Sequence, residues 1–137
     1  NESSRRYVTE EPQFYIPSQW RSIAPSQKQG SGFPMHENIS RYYSERMRAE
    51  VSSGVALYEQ AMKDGICTEQ ARMFLPAYAM YVRWRWTASL NSLLHFCSLR
   101  LEKNAQWEIT EYARAIAGEV KDFFPYTYES WMKHRVG

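Results

Sequence analysis

Cysteine is nearly absent from this chain: two residues in 137, Cys67 and Cys97. They form no CxxC pair and have no histidine at metal-ligand spacing, so neither a zinc site nor a disulfide framework is expected. Two thiols in a reducing, cytoplasmic setting fit that usage better. Net charge is also scarce, at +2 from 17 basic and 15 acidic residues. So small an excess does not attract nucleic acid or a membrane surface by net electrostatics, although basic side chains can still gather around a small anion. No apolar run approaches the ~20 residues that cross a bilayer. Glu2, Arg5 and Arg6 occupy the place where a signal peptide would have its apolar core. Neither a membrane nor a nucleic-acid partner is expected, and no internal repeat is present.

Hydrophobic residues are plentiful, at 44% against 23% charged, which is too apolar for a disordered polypeptide. One globular domain over residues 1–137 with one core is the expectation. A chain of this size leaves much surface uncovered, and its aromatic residues and arginine clusters suit an oligomer interface.

The periodicities describe a mainly helical chain. Residues 1–16 mix polar and apolar side chains and are interrupted by Pro12, which favours short extended pieces. Residues 17–34 collect Ser, Gln, Gly and Pro, and the stretch 27–32 reads as a mobile loop. From 37 to 64, Ile39, Tyr42, Tyr43, Met47, Val51, Val55, Leu57, Tyr58 and Met62 recur mostly three or four apart, and Gly65 stands as a stop, so a long helix is predicted. Thr68 is placed to cap a short helix that Pro76 ends. Residues 78–87 alternate imperfectly and read as extended. Ser89 is placed to cap a helix whose stripe is Leu90, Leu93, Leu94, Cys97 and Leu101, with Asn91, His95 and Ser98 on the adjacent face. A further helix follows Asn104 and runs to about Phe124, where Pro125 closes it, and a short one covers 128–134.

Several side chains could carry chemistry. Glu2, Ser4 and Arg6 alternate, so an extended strand turns all three to one side as acceptor, hydroxyl and guanidinium. The plain alternative is a solvated terminal strand with an ion pair. Arg72 and Arg100 lie beside apolar positions, where a planar fork can grip a phosphate or carbonyl, or can simply form a surface ion pair. His95 beside a leucine stripe is either a structural hydrogen-bonder or a ligand contact. In Arg83-Trp84-Arg85-Trp86, cations alternate with stacking surfaces as in single-strand binders, or the arginines cover the rings of an interface.

The opening Asn1-Glu2-Ser3-Ser4-Arg5-Arg6-Tyr7 is followed by Tyr15-Ile16-Pro17, Trp20-Arg21 and Gln29-Gly30-Ser31. Then come Ala71-Arg72-Met73-Phe74-Leu75-Pro76, Phe96-Cys97-Ser98-Leu99-Arg100, and Ala105-Gln106-Trp107-Glu108-Ile109 with Tyr112-Ala113. In order and spacing these runs resemble the flavin-dependent thymidylate synthases over nearly the whole chain. The opening corresponds to the second half of that family's signature, whose first half carries an Arg-His-Arg cluster. With no initiating Met, the chain is expected to be a C-terminal portion of such an enzyme.

The resemblance implies an α+β fold, mainly helical in this portion, with short extended segments near the N-terminus and around 78–87. It implies methylation of deoxyuridine monophosphate (dUMP) to thymidine monophosphate. The carbon comes from methylenetetrahydrofolate and the hydride from FAD reduced by NADPH, in a homotetramer whose active sites lie between subunits. Position by position, it implies that Glu2, Ser3, Ser4, Arg6, Arg72 and Arg100 bind dUMP. Arg100 polarises the uracil ring as it becomes nucleophilic at C5, and Ser4 is a positioning hydroxyl. FAD falls to Ser89, Asn91, His95, Leu99 and Asn104. The match departs from the family at Asn91, His95 and Asn104, where members often carry Arg, Asn and His. Cys97 lies on the apolar stripe and is expected to be a small buried hydrophobe, with no nucleophilic role. Two alternatives stand beside this reading: an oligomerising portion that cannot turn over, and a helical nucleic-acid-binding module.

Overall fold

The longest periodic stretch of the sequence forms the longest helix, α1, Glu37–Lys63. The computed structural model describes residues 1–4, 10–25 and 30–134. At the start of α1, His36 Nδ1 accepts the Asn38 N–H at 3.2 Å, and Glu37 in the first turn complements the helix dipole, as Lys63 does in the last. Asp64 is the C-cap, and Gly65 follows with φ +86°, a conformation that glycine adopts without strain.

The buried face of α1 consists of Ser40, Ser44, Gly54 and Ala61, while Tyr42, Tyr43 and Leu57 are half exposed or more. Small residues face inward because backbone comes close on that side. A Cβ on Gly54 would stand 2.6 Å from the Phe74 carbonyl oxygen. The Ser40 hydroxyl accepts from the Trp20 amide, and the Ser44 hydroxyl accepts from Trp20 Nε1 at 3.0 Å and donates to the Pro17 carbonyl. Trp20 is thereby pinned to two successive turns of α1.

The chain divides into two compact units, each described by itself. The first comprises Asn1–Trp20 with Pro34–Trp86, and the second Arg21–Phe33 with Thr87–Gly137. In the first, residues 80–85 run extended after a turn over 77–79, and this stretch takes two antiparallel partners along one edge. Ser3 N–H donates to the Arg83 carbonyl and Arg85 N–H to that of Asn1, both at 2.7 Å. Tyr15 N–H donates to the Ala79 carbonyl and Tyr81 N–H to that of Gln13, both at 2.8 Å. The bridges pair Glu2 with Trp84 and Phe14 with Met80. These are the short extended segments expected at the N-terminus and around 78–87.

α2, Thr68–Ala71, continues as a 3-10 turn, Arg72–Phe74, and stops before Pro76. The expected Thr68 cap is corrected: Thr68 is the first helical residue, and the cap position belongs to Cys67, which makes no side-chain cap bond. With a single α turn, the segment is held by packing of Ala71 and Leu75, both buried.

The second unit is a three-helix cluster of α3, Leu90–Arg100, α4, Trp107–Phe123, and α5, Pro125–His134. The Ser89 hydroxyl caps α3 by accepting the Ser92 N–H at 3.1 Å, as expected. α3 and α4 approach closely at Cys97 and Ala113, which have no exposed surface, and the Cys97 thiol donates to the Ala113 carbonyl at 3.7 Å. Trp131 Nε1 donates to the Ser98 hydroxyl at 2.8 Å and docks α5. Pro125 opens α5 at the position where its missing N–H would have no helical partner, so that helix begins before the expected residue 128. Among the described residues no helix is long and apolar enough to cross a membrane.

Candidate functional site

In the first unit, the edge pairing at Glu2 with Trp84 fixes the opening residues as an extended piece, in which successive side chains face opposite ways. Ser4 meets Arg72, whose Nη1 donates to the Ser4 hydroxyl at 3.4 Å across 68 positions of sequence. Arg72 Nε donates to the Glu69 carbonyl at 3.3 Å, which aims the fork at Ser4. Arg72 remains exposed, so the charge is presented to whatever binds there. The neighbouring Ser3 lines a separate cleft of about 590 Å³ with Glu10, Glu11, Gln13 and residues 80–83. Glu2 is exposed. Arg6, expected beside them, lies outside the described residues.

Arg83, whose carbonyl takes the Ser3 amide, also lines the cleft. Its part was not read from sequence, because only strand pairing brings it to the opening motif. Trp84 and Trp86 stand side by side, ring centroids 6.2 Å apart and 35° between planes.

In the second unit, Arg100 is the last residue of α3 and is half-buried. Its carbonyl accepts from the Thr110 hydroxyl at 2.9 Å, a bond from α4 that fixes the end of the helix. Asn91, His95 and Leu99 follow one another at i, i+4 and i+8 along α3, and all are exposed. Two side chains that both donate and accept, followed by an apolar one, suit a flat heteroaromatic ring with a polar edge. Ser89 is occupied as the α3 cap and also meets the Ser92 hydroxyl at 2.9 Å. Asn104 is exposed in the turn between α3 and α4.

Sequence reasoning missed the cluster around Arg21. Its Nη2 donates to the Glu108 carboxylate, its Nε donates to the Ser31 hydroxyl at 2.7 Å, and its guanidinium lies 5.2 Å from the centre of the Trp107 ring. The three motif runs that supply these residues stand out in the sequence, but 87 positions separate Arg21 from Glu108, and no local pattern joins them.

A family model described as thymidylate synthase complementing protein matches residues 1–126. The chain belongs to this family. A flavin-dependent thymidylate synthase of Thermosipho africanus is 32% identical over 133 residues, which cover 97% of this chain and 58% of that protein. One of Thermus thermophilus is 34% identical over 134 residues, 98% of this chain and 48% of that protein. The chain thus spans about half to three-fifths of the length of these relatives. In fold it is similar to a UMP/dUMP methylase, PolB, from Streptomyces cacaoi, solved with 5-Br UMP, with a TM-score of 0.83 at 22% identity over 98% of this chain and 63% of that one. Membership in the family of flavin-dependent thymidylate synthases bears out the resemblance drawn from the motifs, and the mainly helical α+β architecture agrees with it.

Proposed function

We propose that this chain forms part of an FAD-dependent thymidylate synthase that converts dUMP to thymidine monophosphate. The observation that carries the reading is the meeting of Ser4 with Arg72. Two positions that the family resemblance gives to the nucleotide, far apart in sequence, share one hydrogen bond. The names of the relatives support the same substrate class.

In this reading Arg72 offers a planar fork to the nucleotide's phosphate or a carbonyl, and Ser4 orients that fork while adding a hydroxyl. Glu2, Ser3 and Arg6 complete the nucleotide contacts. Arg100 stabilises negative charge on the uracil ring as C5 becomes nucleophilic, an effect worth about a hundredfold to a thousandfold when the donor is held in place beforehand. Its backbone bond to Thr110 holds the end of α3 for that task. Asn91, His95, Leu99 and Asn104 would hold FAD, with Ser89 ordering the start of their helix. Bound flavin supplies hydride after reduction by NADPH, and methylenetetrahydrofolate supplies the carbon. Cys97 takes no part, because its thiol is enclosed and directed at the Ala113 carbonyl.

The enzyme would be a soluble, cytoplasmic homotetramer with active sites between subunits. Large apolar side chains on the outside of this chain support that assembly: Phe33 is 82% exposed, Met73 80% and Tyr126 87%. Exposed apolar side chains of this size suit interaction surfaces.

The test is the absorption spectrum after FAD loading and gel filtration, followed by titration with dUMP. A retained flavin band that responds to the nucleotide supports the reading. A protein that retains FAD yet is indifferent to dUMP would sink the substrate assignment, and one that retains no flavin would leave an oligomerising, inactive portion as the better description.

A further inference from the structure

Arg21 bonds none of the positions assigned to nucleotide or flavin, yet it is a heavily engaged cation. One guanidinium meets a carboxylate, a hydroxyl and an indole face. Its partners fall in two places. Glu108 and Trp107 form the first turn of α4, and Ser31 lies beside Gly30. Gly30 has φ +80° and sits against the turn between α3 and α4: a Cβ there would stand 3.2 Å from the Asn104 carbonyl oxygen and 3.6 Å from that of Ala105. Only glycine combines that backbone conformation with so close an approach.

The turn is spanned by the Thr110 hydroxyl of α4, which donates to the Arg100 carbonyl at the end of α3 at 2.9 Å. Ala105 N–H donates to the Glu102 carbonyl at 3.1 Å, and the side chain of Asn104 is exposed. Its far end is the first turn of α4, where Arg21 grips Glu108. Arg21 therefore holds one hand on the helix that follows the turn and the other on the loop residue next to Gly30, which sits against it.

We infer that Arg21 is a positioning residue for the flavin site, and that its brace across Ser31 and Glu108 holds Gly30 on the Asn104 turn and so sets the place of the Asn104 side chain. The inference rests on the FAD reading above. Arginine suits the task where lysine would not, because two bonds in different directions need a planar fork. The Glu108 pair is only partly enclosed, with side-chain exposures of 21% and 43% for Arg21 and Glu108, so its role is geometric more than stabilising.

Two readouts separate the brace from the cofactor. The first needs no flavin: hydrogen exchange at the Ala105 amide should rise about tenfold in Arg21→Met relative to the unaltered protein, since the local opening loses its restraint. The second is FAD affinity by flavin fluorescence, which should fall about tenfold in Arg21→Met and also in Gly30→Ala, as expected when a group supporting a ligand contact is removed. Arg21→Lys should recover part of it. Val120→Ala, a core truncation in the same unit, supplies a protein of matched lower stability. Unchanged exchange at Ala105 would overturn the brace, as would an equal loss of FAD in Val120→Ala. Raised exchange in a protein that takes up no FAD even unaltered would keep the brace and overturn the flavin reading, and with it the role assigned to Asn104.

Discussion

Arg72 Nη1 and the Ser4 hydroxyl meet at 3.4 Å, although one belongs to a 3-10 turn and the other to the extended N-terminal piece. Their coupling is measurable. Arg72→Ala should weaken dUMP binding about tenfold to a hundredfold, the range for losing a charge-assisted hydrogen bond. Ser4→Ala should cost less, and the double variant should fall short of the product of the two. Isothermal titration with dUMP gives all three values, and full additivity would show that the two side chains act separately.

Arg100→Ala should lower turnover by about a hundredfold to a thousandfold if the guanidinium stabilises charge on the uracil ring. It should weaken dUMP binding as well. Arg100→Lys keeps the charge but not the fork and should recover little. Steady-state kinetics together with a binding isotherm separate the two effects, and an unchanged affinity for dUMP in Arg100→Ala would remove the residue from the site.

Cys97→Ser should leave chemistry intact. The new hydroxyl can donate to the Ala113 carbonyl as the thiol does, so the penalty is one of packing and partial desolvation, about 1–2 kcal/mol. Urea denaturation should register that loss while turnover per folded protein stays level. A folded Cys97→Ser protein without turnover would require a nucleophilic role for the thiol.

Gly54→Ala sets two effects against each other. Alanine in a helix interior is favoured over glycine by about 1 kcal/mol. Here the added Cβ would stand 2.6 Å from the Phe74 carbonyl oxygen and 3.2 Å from Pro76 Cδ, and overpacking of that kind costs about 1–3 kcal/mol. The clash should win, so the variant should be net destabilised, whereas Gly118→Ala on α4, where nothing lies within 4 Å, should gain stability. Denaturation midpoints of the two variants check the sign of each.

Local chemistry made much of this architecture legible. The length of α1 followed from spacing, its end from Gly65, and the start of α3 from the Ser89 hydroxyl. The Thr68 cap failed because packing of Ala71 and Leu75 set the helix one residue earlier than its side-chain chemistry would have done. The inward face of α1 was hidden for a different reason. Large apolar residues dominate a periodicity argument, but the faces that approach backbone most closely carry Ser40, Ser44 and Gly54. At the candidate site, motif residues could be named from sequence, whereas the partners of Arg21 and the pairing of Ser3 with Arg83 depend on segments that meet only in the fold.

The described interior is built mostly of small side chains: Ala61, Ala71, Cys97, Ala113 and Ala117 are buried alongside only Leu75, Leu94 and Val120 among hydrophobics. Tolerance to substitution should therefore run opposite to the usual pattern. At Ala71 and Ala113, with no exposed surface, even one added methylene has nowhere to go, so these quiet alanines are the positions at which random mutation should be purged first.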